Sequence, residues 1–472
     1  MGSLSASTNY PDASDHSLVL AHPTAAEKEQ TWRLNHGEWG GALDQAAYLQ
    51  REQFLASTAL AANGGMLHWI LTEASAVHGP DKKRSVLASC ETIRKRVLYA
   101  LPPSLSQTGD GDGVREGLSY GIGSVYTYPE FRGKKYAARM LTDLGAVLKT
   151  WPKEEQLRKK RAQARGPEVA TANGSQAAED AGTGAGTGEQ EAACSALWSD
   201  IGKRFYASKG WPVFASEHVE FPSHSSPSHP PPGIASLLER PKRPHDASLT
   251  LTPVTTRNIA RLCADDEAQL RRELVAHARG TRRTAFAFTP EPDVFRWHWA
   301  REEFIASRVF PDRPLSEVRG MIATVAEDRK GEEKKKTRMW AVWTRNYGAD
   351  AASNAAKNTL YILRIVIENN NYNDTTAAAA ASTLDPEAHQ LAFDAIMHSA
   401  LDAARAWHCG AVHLWNPTLA VRGLIARCGL AHKFVDREVD SIPSLMWYGP
   451  KDEREEGKAA VDWIANEKYC WC

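Results

Sequence analysis

Residues 124–137 read Ser-Val-Tyr-Thr-Tyr-Pro-Glu-Phe-Arg-Gly-Lys-Lys-Tyr-Ala. Strand-forming residues end at a Pro-containing turn, which passes through a glycine and basic side chains straight into a helical pattern. A helix start leaves backbone N–H groups unpaired and carries partial positive charge, so it is a natural anion seat. Gly133 permits close backbone approach, and Arg132, Lys134 and Lys135 add charge suited to a pyrophosphate. The helix that follows is marked by Ala137, Met140, Leu141, Leu144 and Leu148, which repeat along one apolar face. Residue types alone leave two readings open: a phosphate-binding strand–loop–helix, or an ordinary basic first turn on a surface helix.

The stretch resembles the acetyl-CoA signature of the GCN5-related N-acetyltransferases (the GNAT superfamily), an Arg/Gln-x-x-Gly-x-Gly/Ala pattern. Arg132 supplies the first position and Ala137 the last, while Lys135 stands at the usual central glycine. Downstream, Ser199-Asp200-Ile201-Gly202-Lys203-Arg204-Phe205-Tyr206 and then Gly210-Trp211 resemble the strand–helix pair that follows in such enzymes. Three segments narrow the likeness to the fungal lysine N6-acetyltransferase family: Leu197 to Tyr206, Ser89-Cys90-Glu91-Thr92, and Asp440 to Trp447. The resemblance runs over most of 17–221 and returns in patches through 320–449.

The resemblance implies an α/β mixed sheet, the acyl-CoA N-acyltransferase (GNAT) fold, with acetyl-CoA as cosubstrate and no metal. It places the cosubstrate on Val125, Tyr126, Thr127, Arg132, Gly133, Lys134, Lys135, Tyr136 and Ala137, with the backbone of Val125 and Thr127 pairing the pantetheine arm. It implies transfer of the acetyl group to the side-chain amine of free L-lysine, an entry to lysine breakdown. The same chemistry on a polyamine or a protein N-terminus is the alternative, as is a CoA-binding regulatory protein without turnover.

Acetyl transfer needs a neutral nucleophile, yet a lysine ε-amine has a reference pKa of about 10.4. A base must take its proton, and an acid should protonate the departing thiolate. The resemblance carries the acid role to Tyr206. For the base, Glu91 in its Cys-Glu-Thr context comes first and Asp200 second, although Asp200 just before a helix fits a cap equally well. His68, amid apolar neighbours, reads as a core histidine. The loop around His36-Gly37-Glu38-Trp39-Gly40-Gly41 falls where this superfamily shapes its acceptor pocket. Glu38 is a candidate for the substrate ammonium there, and Trp39 is either a pocket wall or core.

Two lobes must position these residues. Strand patterns at Met66–Glu73, Ser85–Tyr99 and Tyr120–Tyr128 precede the long helix, with Ser195–Asp200, a short helix at Lys203–Lys209 and Val213–Glu220 after it. The same order returns at Met321–Glu327, Arg338–Tyr347, Leu360–Glu368, a long helix through Phe393 and Trp407, Ala411–Trp415, Leu419–Cys428 and Ser444–Tyr448. The chain therefore divides into a flexible N-terminus (1–16), a GNAT domain (17–221), a Pro-rich linker (222–248), a second, degenerate GNAT-like lobe without the CoA loop (249–449) and a tail (450–472). Residues 152–193 are expected to be a disordered insertion and 369–385 a loop, since both lack the large apolar residues that offset ordering entropy. The run Arg158-Lys159-Lys160-Arg161 is expected to be a solvated helix end rather than a nuclear address. The second lobe is expected to bind no CoA and to cover the acceptor side of the first.

Composition sets the outer limits. The 472 residues carry 57 basic and 57 acidic side chains, a balance that argues against a nucleic-acid or anionic-membrane partner. Seven scattered cysteines without a CxxC point to a reducing compartment, and no metal-ligand spacing is evident. Met1-Gly2-Ser3-Leu4-Ser5-Ala6 misses a myristoylation signal at Ala6, and Cys470-Trp471-Cys472 is not a CaaX box. A cytoplasmic enzyme for a small amine is the resulting expectation.

Overall fold

The computed structural model describes residues 10–74, 84–106, 112–164, 191–224, 248–327, 335–368, 386–450 and 461–471. Most of the expected insertion and linker, and the loop 369–385, lie outside these residues.

The first half runs β1 (Leu18–Ala21), α1 (Ala25–Trp39), α2 (Gln45–Ala56), β2 (Met66–Glu73), β3 (Ala88–Ala100), β4 (Arg115–Thr127), α3 (Tyr136–Ala164), β5 (Cys194–Ser199), α4 (Arg204–Ala207) and β6 (Glu217–Pro222). The second runs β7 (Ser248–Val254), α5 (Ile259–Thr281), β8 (Ala285–Phe288), α6 (Pro292–Val309), β9 (Gly320–Glu327), β10 (Lys335–Asn346) and β11 (Thr359–Ile367). It continues with α7 (Pro386–Ala406), β12 (Ala411–Trp415), α8 (Leu419–Ile425), β13 (Lys433–Asp436), β14 (Ile442–Trp447) and β15 (Asp462–Trp463).

Local sequence explains the elements around the site. Thr24 and Glu27 form a capping box at the start of α1, and Asp44 caps α2 through the Ala47 N–H. The apolar stripe of α3 is realised: Met140, Leu141, Leu144 and Leu148 are fully buried against the first sheet. Among the described residues, no helix is long and apolar enough to cross a membrane.

The strands form two sheets. The first has the order β1-β2-β3-β4-β5-β14, with β8 on the far half of β3 and β15 beside β8. The second has the order β13-β6-β12-β11-β10-β9-β7. In each sheet one inner pair is parallel, β4 with β5 and β11 with β12, and in each the pairing stops before β4 or β11 ends. The two lobes thus share one mixed α/β plan.

The lobes also exchange strands. β6, from the first half, lies between β12 and β13, and β14, from the second, lies on β5. The expected boundary at 221–249 therefore divides the chain but not the sheets. Long-range pairing of this kind leaves no local pattern in sequence.

Other expectations need correction. Helix α3 runs through Pro152 to Ala164, so the insertion starts later than residue 152. Proline removes one helical hydrogen bond without ending the helix here, and the Ala192 N–H donates to the Lys149 carbonyl at 3.0 Å. His36 to Trp39 are the last turn of α1 rather than a loop. The expected linker begins inside β6 at Pro222, and Ser223 beyond it is fully buried. Within the expected tail, the described residues 461–471 reach the core: Tyr469 and Cys470 are 0% exposed, packed with Val97, Phe286 and Trp340 between the two sheets.

Candidate active site

β4 and β5 are paired from Ser119 to Ile122 and then diverge. Past that point β4 also bulges. Its pairing with β3 shifts between Ser89 and Glu91, and Ser124 takes a left-handed backbone with φ +51°. A bulge re-aims the strand. The Ser124 hydroxyl donates to Glu91 Oε2 at 3.1 Å, which fixes the irregularity from below. Val125 thus stands at the opening of the splay, where the sequence reading placed the pantetheine arm.

The loop beyond has the conformation an anion cradle needs. Gly133 and Lys135 both have positive φ, +81° and +65°. Lys135 occupies the position of the motif's central glycine and adopts the backbone that a glycine there would supply at no steric cost. The Arg132 Nε donates to the Thr127 carbonyl at 3.2 Å, and its guanidinium lies over the Tyr126 ring. Lys134 stands near Tyr10 and Phe131. Tyr136 departs from expectation in its side chain, which is 2% exposed and donates to the Pro11 carbonyl at 2.6 Å. Only its backbone and that of Ala137, in the first turn of α3, remain available to a ligand.

A cavity of about 410 Å³ lies between the two sheets at this splay, within the size range of small-molecule sites. It brings together Glu38, Trp39, Glu91, Val125, Asp200 and Tyr206. Their partners differ. Glu38 Oε1 lies 3.6 Å from Arg132 Nη2, so this carboxylate meets the basic loop before α3. Trp39 packs edge-on to Tyr126, both wall and partly core. Asp200 caps nothing in α4, since it accepts the Ser441 N–H at 2.9 Å and so ties β5 to the chain entering β14. Tyr206 is 7% exposed; burial pushes its hydroxyl pKa up, and the Asp200 carboxylate adds to the effect.

Glu91 is the most heavily bonded group. Trp32 Nε1 donates to Oε1 at 2.9 Å, and His68 Nδ1 lies 3.1 Å from the same oxygen. Burial alone would raise its pKa, but His68, Trp32 and Ser124 together hold it well below the usual carboxylate range. His68, directly opposite Glu91 in the β2–β3 pair, is therefore a partner of the site rather than a plain core histidine.

Two lining residues escaped the sequence reading. Glu52, on α2, is buried and takes a bond from Arg51 Nε at 2.9 Å; burial pushes its pKa up, opposed by Arg51 and reinforced by Glu91. Arg301, on α6 of the second lobe, donates to Asn346 Oδ1 at 2.8 Å. No carboxylate lies within ion-pair distance of Arg301 among the described residues, unlike Arg345, whose Nη2 is 2.8 Å from Glu302. Burial and Arg51 bring the Arg301 pKa down to about 10, which still leaves it charged at neutral pH. Lys468 and Trp471, from the C-terminal segment, complete the lining with Tyr361.

Residues 218–472 match the family model GNAT_LYC1-like, described as the LYC1 GNAT-like C-terminal domain. The chain belongs to this family of GCN5-related N-acetyltransferases. It is 26% identical over 185 residues to a lysine acetyltransferase of Yarrowia lipolytica, covering 39% of this chain and 38% of that protein. It is 29% identical over 135 residues to an uncharacterized protein of Saccharomyces cerevisiae, covering 25% of this chain and 32% of the other. The matched stretches thus span about a third of these relatives' lengths. Among solved structures, a GCN5-related N-acetyltransferase from Kribbella flavida aligns with a TM-score of 0.41 at 13% identity, over 91% of this chain and 70% of that one. Saccharomyces cerevisiae N-myristoyltransferase with bound myristoyl-CoA aligns with a TM-score of 0.41 at 9% identity, over 93% and 85%.

Proposed function

We propose that the protein transfers the acetyl group of acetyl-CoA to the side-chain amine of free L-lysine, giving N6-acetyl-L-lysine. The observation that carries this reading is one cavity in which the β4 splay, Tyr206, a carboxylate pair and the Arg301 guanidinium converge from both lobes. The Gly133–Lys135 loop and the freed backbone of Val125 fit a CoA pyrophosphate and pantetheine, with Arg132 and Lys134 adding charge. Bound there, acetyl-CoA supplies the thioester.

The rest falls to this chain's side chains. An acceptor amine loses a proton, forms the N–C bond and leaves the thiolate to be protonated. Tyr206, kept protonated by its burial, is assigned the acid role. Of the four carboxylates lining the cavity, Glu91 and Glu52 are pushed apart in pKa, Glu91 down and Glu52 up, which is how environments divide roles between like groups. Glu52 is therefore assigned as the base. Glu91, held anionic, positions Ser124 and the bulge and offers negative charge to an ammonium. Arg301 is assigned to the α-carboxylate of the acceptor. A zwitterionic acceptor matches a site that presents both signs of charge, Glu91 and Arg301.

The test is thiol release by the purified chain from acetyl-CoA, with lysine, cadaverine, spermidine or an N-terminal peptide as acceptor. Lysine is expected to be preferred and N6-acetyl-lysine to be the product. Release no faster with lysine than without an amine sinks the reading.

A further inference from the structure

We propose that His218, Glu220 and His413 form a binding site for a divalent transition-metal ion, Zn²⁺ by its ligand chemistry, outside the acetyl-transfer cavity. His218 and Glu220 alternate along β6 with the buried core residues Val219 and Phe221. His413 stands on the adjacent β12, directly opposite Glu220, between core residues Val412 and Leu414. Strand alternation thus puts all three side chains on one face. One ligand atom from each lies within 4.8 Å of the others, and His413 Nε2 is 3.7 Å from Glu220 Oε2. Small side-chain rotations close such a set onto an ion at the roughly 2.0–2.2 Å typical of zinc–nitrogen and zinc–carboxylate bonds.

The second observation is an unsatisfied histidine. His218 is 8% exposed, yet neither ring nitrogen has a hydrogen-bond partner among the described residues. Its ring stacks on His413 with centroids 4.5 Å apart. A buried polar ring without a partner is costly, and a metal ion would supply the missing partner. Imidazole binds metal through a ring nitrogen of its neutral form, whose reference pKa of about 6.5 leaves it available near pH 7. Two imidazoles and one carboxylate leave a fourth position for water, the pattern of open zinc sites.

Three cations surround the set and oppose an ion. Arg437 acts on both histidines electrostatically and Lys468 on His413, and Lys433 Nζ lies 3.1 Å from Glu220 Oε2. Lys433 is the movable one, with its side chain 62% exposed at the edge strand β13. The ion would tie the exchanged strand β6 to β12, so binding should also resist separation of the lobes. Neither histidine nor Glu220 lines the acetyl-transfer cavity, although Tyr361, paired with His413 across β11, does.

The experiment is calorimetric titration of the chelator-stripped full chain with Zn²⁺ alone, with Co²⁺ absorption as a probe of coordination. The expected result is one Zn²⁺ per chain and a four- or five-coordinate Co²⁺ spectrum. His413→Ala and Glu220→Gln are each expected to weaken binding by about a hundredfold or more. Lys433→Met, an exposed change that leaves the fold intact, is expected to tighten it by removing the competing ammonium. Absence of Zn²⁺ binding overturns the proposal. So does binding left unchanged by His413→Ala and Glu220→Gln, or weakened by Lys433→Met.

Discussion

Glu467 accepts the backbone N–H of Ile365 at 2.9 Å. Ile365 holds in the second sheet the place that Val125 holds in the first. β4 pairs with β5 as far as Ile122, and β11 pairs with β12 as far as Ile362, so each residue lies equally far past its own parallel pair. In the first lobe the splay opens into the cavity. In the second, the C-terminal segment fills it, with Glu467 also paired to Arg364, whose Nη2 lies 2.7 Å from Asp266 Oδ1. The backbone donor that a pantetheine arm would use is already taken.

This arrangement predicts one CoA per chain. Equilibrium dialysis or calorimetry with CoA should saturate at a single site, lost on charge reversal of Arg132 and Lys134 together. Glu467→Ala should leave the Ile365 N–H and part of the Arg364 charge buried without partners, costing about 3 kcal/mol in urea unfolding. The stoichiometry of CoA should stay at one in Glu467→Gln, and a second site appearing there would show that Glu467 alone excludes the ligand.

Tyr206→Phe removes the hydroxyl and keeps the ring that packs against Phe205. Turnover should fall about 10²- to 10⁴-fold, the usual contribution of general acid–base groups. CoA affinity should stay within about twofold, because the loop and the β4 backbone are untouched. Equal losses in binding and turnover would mark Tyr206 as a packing residue.

Lys135 and Gly133 separate conformation from charge in the loop. A non-glycine residue with left-handed φ carries a steric cost of roughly 1–2 kcal/mol. Lys135→Gly should therefore raise stability by up to about 1 kcal/mol, part of the gain being offset by unfolded-chain entropy, while lowering CoA affinity through the lost charge. Gly133→Ala meets no atom within 4 Å, so its penalty is backbone strain alone, again about 1 kcal/mol. Urea unfolding with and without CoA resolves the two effects.

Much of the first half of this site was legible because it is local. The strand, turn, glycine and basic residues of 124–137 adjoin one another, and the α3 stripe is a period of one helix. The rest depends on contacts that no window contains. Glu52 sits on a helix whose pattern shows only an amphipathic turn, and its significance comes from Arg51 beside it and Glu91 across the cavity. Arg301 arrives from the second lobe, and Lys468 from a segment that reads as a C-terminal tail. β6 and β14 change sheets without any change in their own alternation. His218 and His413 are neighbours only because of that exchange.

The two carboxylates should differ in their pH dependence, and the signs follow from their shifts. Glu91 has a folded pKa held below its ordinary value of 4.5, so the stability it contributes is present above that value and is lost as pH falls toward its folded pKa of about 2. Glu91→Gln should flatten the acid limb of the stability curve in that window, measured by urea unfolding across pH. Glu52 is shifted upward, so its charged form costs stability as pH rises through the folded pKa, and Glu52→Gln should be neutral or stabilising near pH 7. Its effect on activity should be the opposite. If Glu52 is the base, kcat/KM for lysine falls on the acid side with an apparent pKa above 4.5, and Glu52→Gln removes that limb together with most of the turnover. Arg301 closes the comparison. Arg301→Gln should lower kcat/KM for lysine by about a hundredfold, the scale of a lost charged contact, yet leave cadaverine, which has no carboxylate, little changed. Equal losses with both amines would mean that Arg301 shapes the cavity rather than reading the α-carboxylate.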